Sequence, residues 1–154
     1  IGRDQLVIID WGAELDGYCS DCTRTYATGE LDGEIAEVYA LVLEAQLTGL
    51  GAVRAGASCR GVDATARRVI EAGGHGVQFG HGLGHGVGLE IHEAPRLSQR
   101  VDEAERLAAG NVVTVEPGIY VAGSFGVRIE DLVVVGTEGP EILTGLPKEL
   151  TVVG

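Results

Sequence analysis

The sequence predicts a single α+β domain, on three observations. Strand-like runs lie towards both ends of the chain and are joined by tight turns, Asp16-Gly17 and Pro117-Gly118, where a parallel fold would need crossover helices. Two amphipathic helical stretches sit together between them. With 154 residues, 45% of them hydrophobic, the chain is long enough to bury one core, and no repeat, low-complexity segment or linker divides it.

In chain order, Leu6 to Asp10 is a short apolar run, Gly12 and Asp16-Gly17 mark turns, and Tyr18 to Ala27 reads as the returning strand. This hairpin carries Asp10 and Asp21. Asp10 closes an apolar strand, where an ionised carboxylate is costly to bury unless paired or metal-bound. Turn and capping roles suit Asp16 and Asp32 better than these two. From Asp32, the expected N-cap, to about Arg54, the residues Ile35, Val38, Tyr39, Val42 and Ala45 recur at helical spacing, with Gly56 beyond the end. A second helix starts near Ser58, runs through Val62, Ala66, Val69 and Ile70, and stops at Gly73-Gly74. Both helices read as scaffold.

The stretch Gly80 to Glu93, GHGLGHGVGLEIHE, holds His81, His85 and His92 among glycines that let the backbone approach whatever the imidazoles hold. Spacings of four and seven fit neither one helical nor one strand face, so a shared cavity lined from a turn and its flanking strand ends is expected. A Gly-rich surface loop with incidental histidines is the bland alternative, and the carboxylates decide between them. Ala94 to Gly110 is polar and predicts a loop with a short helical piece. Asn111 to Glu116 predicts a strand that continues past Pro117-Gly118 as Ile119 to Ala122; Gly126 to Val135 predicts another, interrupted by Glu130 and Asp131, and Glu141 to Thr144 a last short one.

A formal net charge of −12 argues against nucleic acid or an anionic membrane as partner, because both carry the same sign. No apolar run reaches the length of a membrane span by inspection, and the amino end lacks the pattern of a signal peptide, so a cytoplasmic location is expected. Three cysteines, Cys19, Cys22 and Cys59, suit a reducing compartment. Cys19-x-x-Cys22 has no second pair to complete a zinc site, and buried small side chains are the better reading.

Asp10, Asp21, Glu116 and Glu130 thus stand at strand positions that disfavour carboxylates, with a histidine cluster between them in sequence. Such a set is too hard and anionic for structural zinc and suits two divalent cations sharing bridging carboxylates. The chemistry expected of it is metal-assisted hydrolysis of an acyl or phosphoryl bond.

The segments IDWGA (Ile9 to Ala13), GYCSDCTRT (Gly17 to Thr25), GHGLGHGVGLEIHEAP (Gly80 to Pro95), TVEPGIY (Thr114 to Tyr120) and GVRIED (Gly126 to Asp131) resemble the catalytic domain of the M24 metallopeptidases, most of all the Xaa-Pro dipeptidase and aminopeptidase P branch. The resemblance implies a pita-bread fold over residues 1–154, a curved antiparallel sheet with helices outside and metals on its concave side. It implies five metal ligands, Asp10, Asp21, His85, Glu116 and Glu130, with Asp21 and Glu130 bridging. His92 would steady the oxyanion, His81 line the substrate pocket, Glu116 accept the proton of the attacking water, and Arg128 support the acidic cluster beside the substrate. Two divalent ions follow, manganese first, with cobalt, zinc or iron also open, together with a peptide substrate and a homodimer. A helical and strand segment with another histidine is expected ahead of Ile1. The alternative is a non-catalytic module of the same fold that binds a peptide or partner; five intact ligands with His81 and His92 argue against it.

Overall fold

The computed structural model describes residues 1–153. Strand β1, Leu6–Trp11, pairs antiparallel with β4, Cys22–Ala27, in a register that sets Asp10 opposite Thr23. The expected single returning strand is split. Between β1 and β4 a small hairpin projects, β2 (Glu14–Leu15) with β3 (Tyr18–Cys19), because Asp16 and Gly17 both take positive φ, 52° and 86°, and so close a two-residue turn.

Helix α1, Gly33–Ala52, buries Val38, Tyr39, Val42, Ala45, Gln46, Gly49 and Leu50, and helix α2, Cys59–Ala72, packs against it. Ser58 caps α2 by accepting a 3.2 Å bond from the Gly61 N–H. Asp32 precedes α1 as expected but makes no side-chain capping bond. One expectation needs correction: α1 is long and apolar enough, by length and composition, to cross a bilayer. Its scattered glutamates hide this from inspection. The expected amphipathic pattern is weak in α1, which is apolar nearly all round: Val38, Tyr39, Val42, Ala45 and Leu50 are buried in the core shared with α2 and the strands, while Leu47 is exposed.

After a 3-10 turn at Gly76–Gln78 come β5 (Gly84–Gly86), β6 (Glu93–Leu97), β7 (Val112–Val115), β8 (Gly118–Val121), β9 (Phe125–Arg128), β10 (Asp131–Val135) and β11 (Pro140–Ile142). Five of these form a sheet in the order β11-β10-β7-β5-β6, every neighbour antiparallel. The continuous strand expected over Gly126 to Val135 breaks at Ile129-Glu130: β9 pairs with β8 in a separate hairpin, while β10 joins β7. Strand β6 lies where a loop was expected. It is a sheet edge, so Pro95 removes no ladder bond from it. The expected short helix beyond it is absent among the described residues; turns run there instead, tied to the start of α2 by Cys59 N–H to Glu105 O and Leu107 N–H to Ala57 O.

Strand β12, Thr151–Val152, was not expected; it lies parallel to β4 and completes a β1-β4-β12 sheet. The glycines of the histidine stretch also have a different use from the one expected. A Cβ on Gly84 would lie 2.0 Å from the Thr114 carbonyl oxygen of β7, so here the missing side chain lets two strands close, rather than admitting a ligand.

Candidate active site

The two strand breaks are what assemble the site. Asp21 sits in the link from β3 to β4, Glu130 in the link from β9 to β10, and His85 in the middle of β5. One oxygen or nitrogen from each of these three falls within 4.8 Å of the others. The Glu130 backbone N–H donates to Thr23 O at 3.1 Å, and the Thr23 hydroxyl donates to Glu130 Oε2 at 2.6 Å, so β4 fixes this carboxylate from two sides. Its other oxygen, Oε1, is buried with no partner.

Glu116 follows β7 and is held by its N–H to Leu83 O at 2.8 Å. Its Oε1 accepts from the Thr114 hydroxyl at 2.9 Å and lies 3.2 Å from His85 Nε2, which is itself 3.6 Å from Asp21 Oδ2. His85 Nδ1 lies 3.0 Å from the Gly86 carbonyl. A proton held there turns the Nε2 lone pair towards the carboxylates, the tautomer a metal ligand needs.

Asp10 stands apart from this trio. Its side chain is 50% exposed, so the burial expected for it is not found, and its carboxylate is bound by Arg128 Nη2. The same guanidinium donates to the Tyr120 hydroxyl at 2.9 Å and to Thr23 Oγ1 at 3.1 Å, linking Asp10 to the bonds around Glu130. His92 is exposed, its ring centroid 4.3 Å from that of His85. His81 Nδ1 lies 2.7 Å from Gly82 O and Nε2 lies 3.0 Å from the Tyr120 hydroxyl, so the imidazole is fully engaged at the pocket wall. All but Asp21 and Glu130 of the residues expected at the site line one cavity of about 840 Å³.

Crowding of acids shows in their protonation. Burial and then the neighbouring Glu116 push the Glu130 carboxyl up to about 8, against the Thr23 hydrogen bond, which lowers it. Burial and then Asp10 raise Asp21. For His85, burial works downwards, but the hydrogen bonds with Glu116 and the Gly86 carbonyl outweigh it and the net shift is upwards. Carboxylates raised by burial and by one another are ones that cations would satisfy, and the orphaned Glu130 Oε1 is a ready donor. The oxygen-rich donor set with one imidazole fits divalent ions.

Sequence reasoning missed Thr23, Thr114 and Tyr120, and it missed Asp63 and Arg67 on α2. Only the last pair had a local signal, an acid and a base at i, i+4 on a helix.

The model of metallopeptidase family M24 matches residues 1–137. The chain belongs to that family. The M24 chain is 47% identical over 150 residues to an Xaa-Pro dipeptidase of Pyrococcus furiosus, covering 97% of this chain and 42% of that protein. Among solved structures, an Xaa-Pro dipeptidase from Bacillus anthracis superposes with a TM-score of 0.96 at 50% identity, over 99% of this chain and 42% of that one. An X-Pro aminopeptidase from Thermotoga maritima superposes with a TM-score of 0.95 at 46% identity, over 99% and 43%. The pita-bread fold is thereby shown. The chain spans about 42% of the length of the relatives it matches.

Proposed function

We propose that the site hydrolyses a peptide bond, with Xaa-Pro peptides as substrates and two divalent cations, manganese foremost, held by Asp10, Asp21, His85, Glu116 and Glu130. The observation that carries this reading is the convergence of Asp21, His85 and Glu130 within 4.8 Å, with Glu116 against His85. The matched relatives named as Xaa-Pro dipeptidases support the substrate class.

Bound divalent ions supply Lewis-acid activation of a water and of the scissile carbonyl. The chain's own residues do the rest. Glu116, part-exposed to the cavity and hydrogen-bonded by Thr114, would take the proton of the attacking water. His92, exposed beside His85, lines the cavity and would donate to the scissile carbonyl oxygen as charge develops there. His81 forms a wall for the substrate, its ring held by Gly82 and Tyr120. Arg128 orients Asp10 and, through Thr23, steadies Glu130. Free Cys19, Cys22 and Cys59 support a reducing, cytoplasmic setting.

Titration with Mn2+ followed by turnover of an Xaa-Pro dipeptide and of a longer Xaa-Pro peptide tests the reading. In a protein of the relatives' full length that carries this chain, two bound ions and metal-dependent cleavage are expected, with looser metal binding and poor turnover from residues 1–154 alone; ion binding with neither peptide cleaved by the longer protein would point to a binding module instead.

A further inference from the structure

We propose that Asp63 and Arg67, on helix α2, are positioning residues for the site: they clamp the backbone of residues 79–83 and through it set the ring of His81 and the placement of Glu116. The proposal rests on the peptidase reading for its catalytic consequence, and on geometry alone for the clamp.

Arg67 is 9% exposed and Asp63 fully buried. The guanidinium binds the carboxylate through two parallel bonds, Nε to Oδ2 and Nη2 to Oδ1, each 2.9 Å. A pair serving only to tie one turn of helix to the next would stop there. Instead Arg67 Nη1 donates to Phe79 O at 2.9 Å and Nη2 to His81 O at 2.6 Å, while Asp63 Oδ1 accepts the Leu83 N–H at 3.0 Å. Alternate residues of the irregular run 79–83, just ahead of β5, are thus gripped by one ion pair. The guanidinium also lies 4.1 Å from the centroid of the Phe79 ring, whose edge meets His81 at 5.1 Å between ring centroids.

Two paths lead from this clamp to the site. Leu83, held at its N–H by Asp63, accepts at its carbonyl the 2.8 Å bond that fixes the Glu116 backbone. His81, held at its carbonyl, accepts at Nε2 from the Tyr120 hydroxyl when its Nδ1 proton points to Gly82 O. A burial this complete for a charged pair, spent on three backbone groups of one short segment, is a device for fixing that segment.

The test uses Arg67→Lys, which keeps the charge but cannot reach Asp63 and two carbonyls together, and Asp63→Asn, which is isosteric and keeps an acceptor for Leu83. In the metal-free chain, 15N spectra of the His81 imidazole are expected to show one Nδ1-protonated tautomer in the parent and averaging in both variants, even where the melting temperature is unchanged. With turnover measured on a protein carrying these substitutions, kcat is expected to fall about tenfold or more while KM moves little. Variants that fold, melt lower and keep the parent His81 signature would overturn the proposal and leave the pair a fold-stabilising one. Should Arg67→Lys not fold, Asp63→Asn decides by the same signature. The spectra need no turnover, so a parent that fails to cleave peptides sinks the peptidase reading without touching this one.

Discussion

Glu130 takes a 2.6 Å hydrogen bond from Thr23 on one oxygen and has no partner for the other. Burial and then Glu116 lift this carboxyl to about 8 from the 4.5 of the free side chain. The folded state therefore binds more protons than the unfolded chain between those values. This stabilising contribution is complete below about 4.5 and is lost as pH rises through about 8. His85, also shifted upwards, acts in the same sense. Melting curves of the metal-free chain should show stability falling from pH about 5 to about 8, and a flat or rising profile would contradict it.

Saturating Mn2+ should reverse that trend, because cations and protons compete for the same oxygens. At a hundredfold excess over the dissociation constant the gain is about 2.7 kcal/mol. Calorimetry should show proton release on binding, greater at pH about 7 than about 9.

Glu130→Gln mimics the protonated acid. It should cost the metal-free chain no more than about 1–3 kcal/mol, for one buried amide group without a partner, and abolish stabilisation by Mn2+. A loss of several kcal/mol without metal would mean that Glu130 is ionised and paired in the apo fold.

Glu116→Gln removes the proposed proton acceptor and should lower turnover about a hundred- to ten-thousandfold. His92→Ala should lower kcat with little change in KM, because its contact strengthens only as charge develops on the carbonyl oxygen. Near-parent rates in either variant would assign the role elsewhere.

Arg128→Lys loses the fork that reaches Asp10, Tyr120 and Thr23 together. Metal affinity should drop on the order of tenfold to a hundredfold, read by titration. Gly84→Ala tests the sheet instead: its Cβ would meet Thr114 O at 2.0 Å, so a loss of about 1–3 kcal/mol in melting experiments is expected.

Glu130 was legible because a carboxylate within an apolar run has few explanations, and at 1% exposure it has the buried setting that reasoning requires. Asp10 drew attention for the same reason, yet it is half exposed and its field comes from Arg128, which lies far off in sequence. The helices were legible to within a few residues since their periodicity is local. The edge strand β6 and the two-residue β12 were not, because only a partner strand makes such segments extended. Thr23 and Tyr120 are ordinary residues in ordinary places; what sets them apart is a contact made across the fold.

The bond between Thr23 and Glu130 spans 107 positions of the chain. A ribosome making this protein releases Asp10 and Asp21 long before their counterpart exists, and the β1–β4 hairpin forms by local closure without it. Until β10 docks, these acids are solvated, repel one another little and offer a cation no enclosed cradle. Capture of the proposed cations would thus belong to the end of folding, and a loaded ion would certify a chain already closed upon itself.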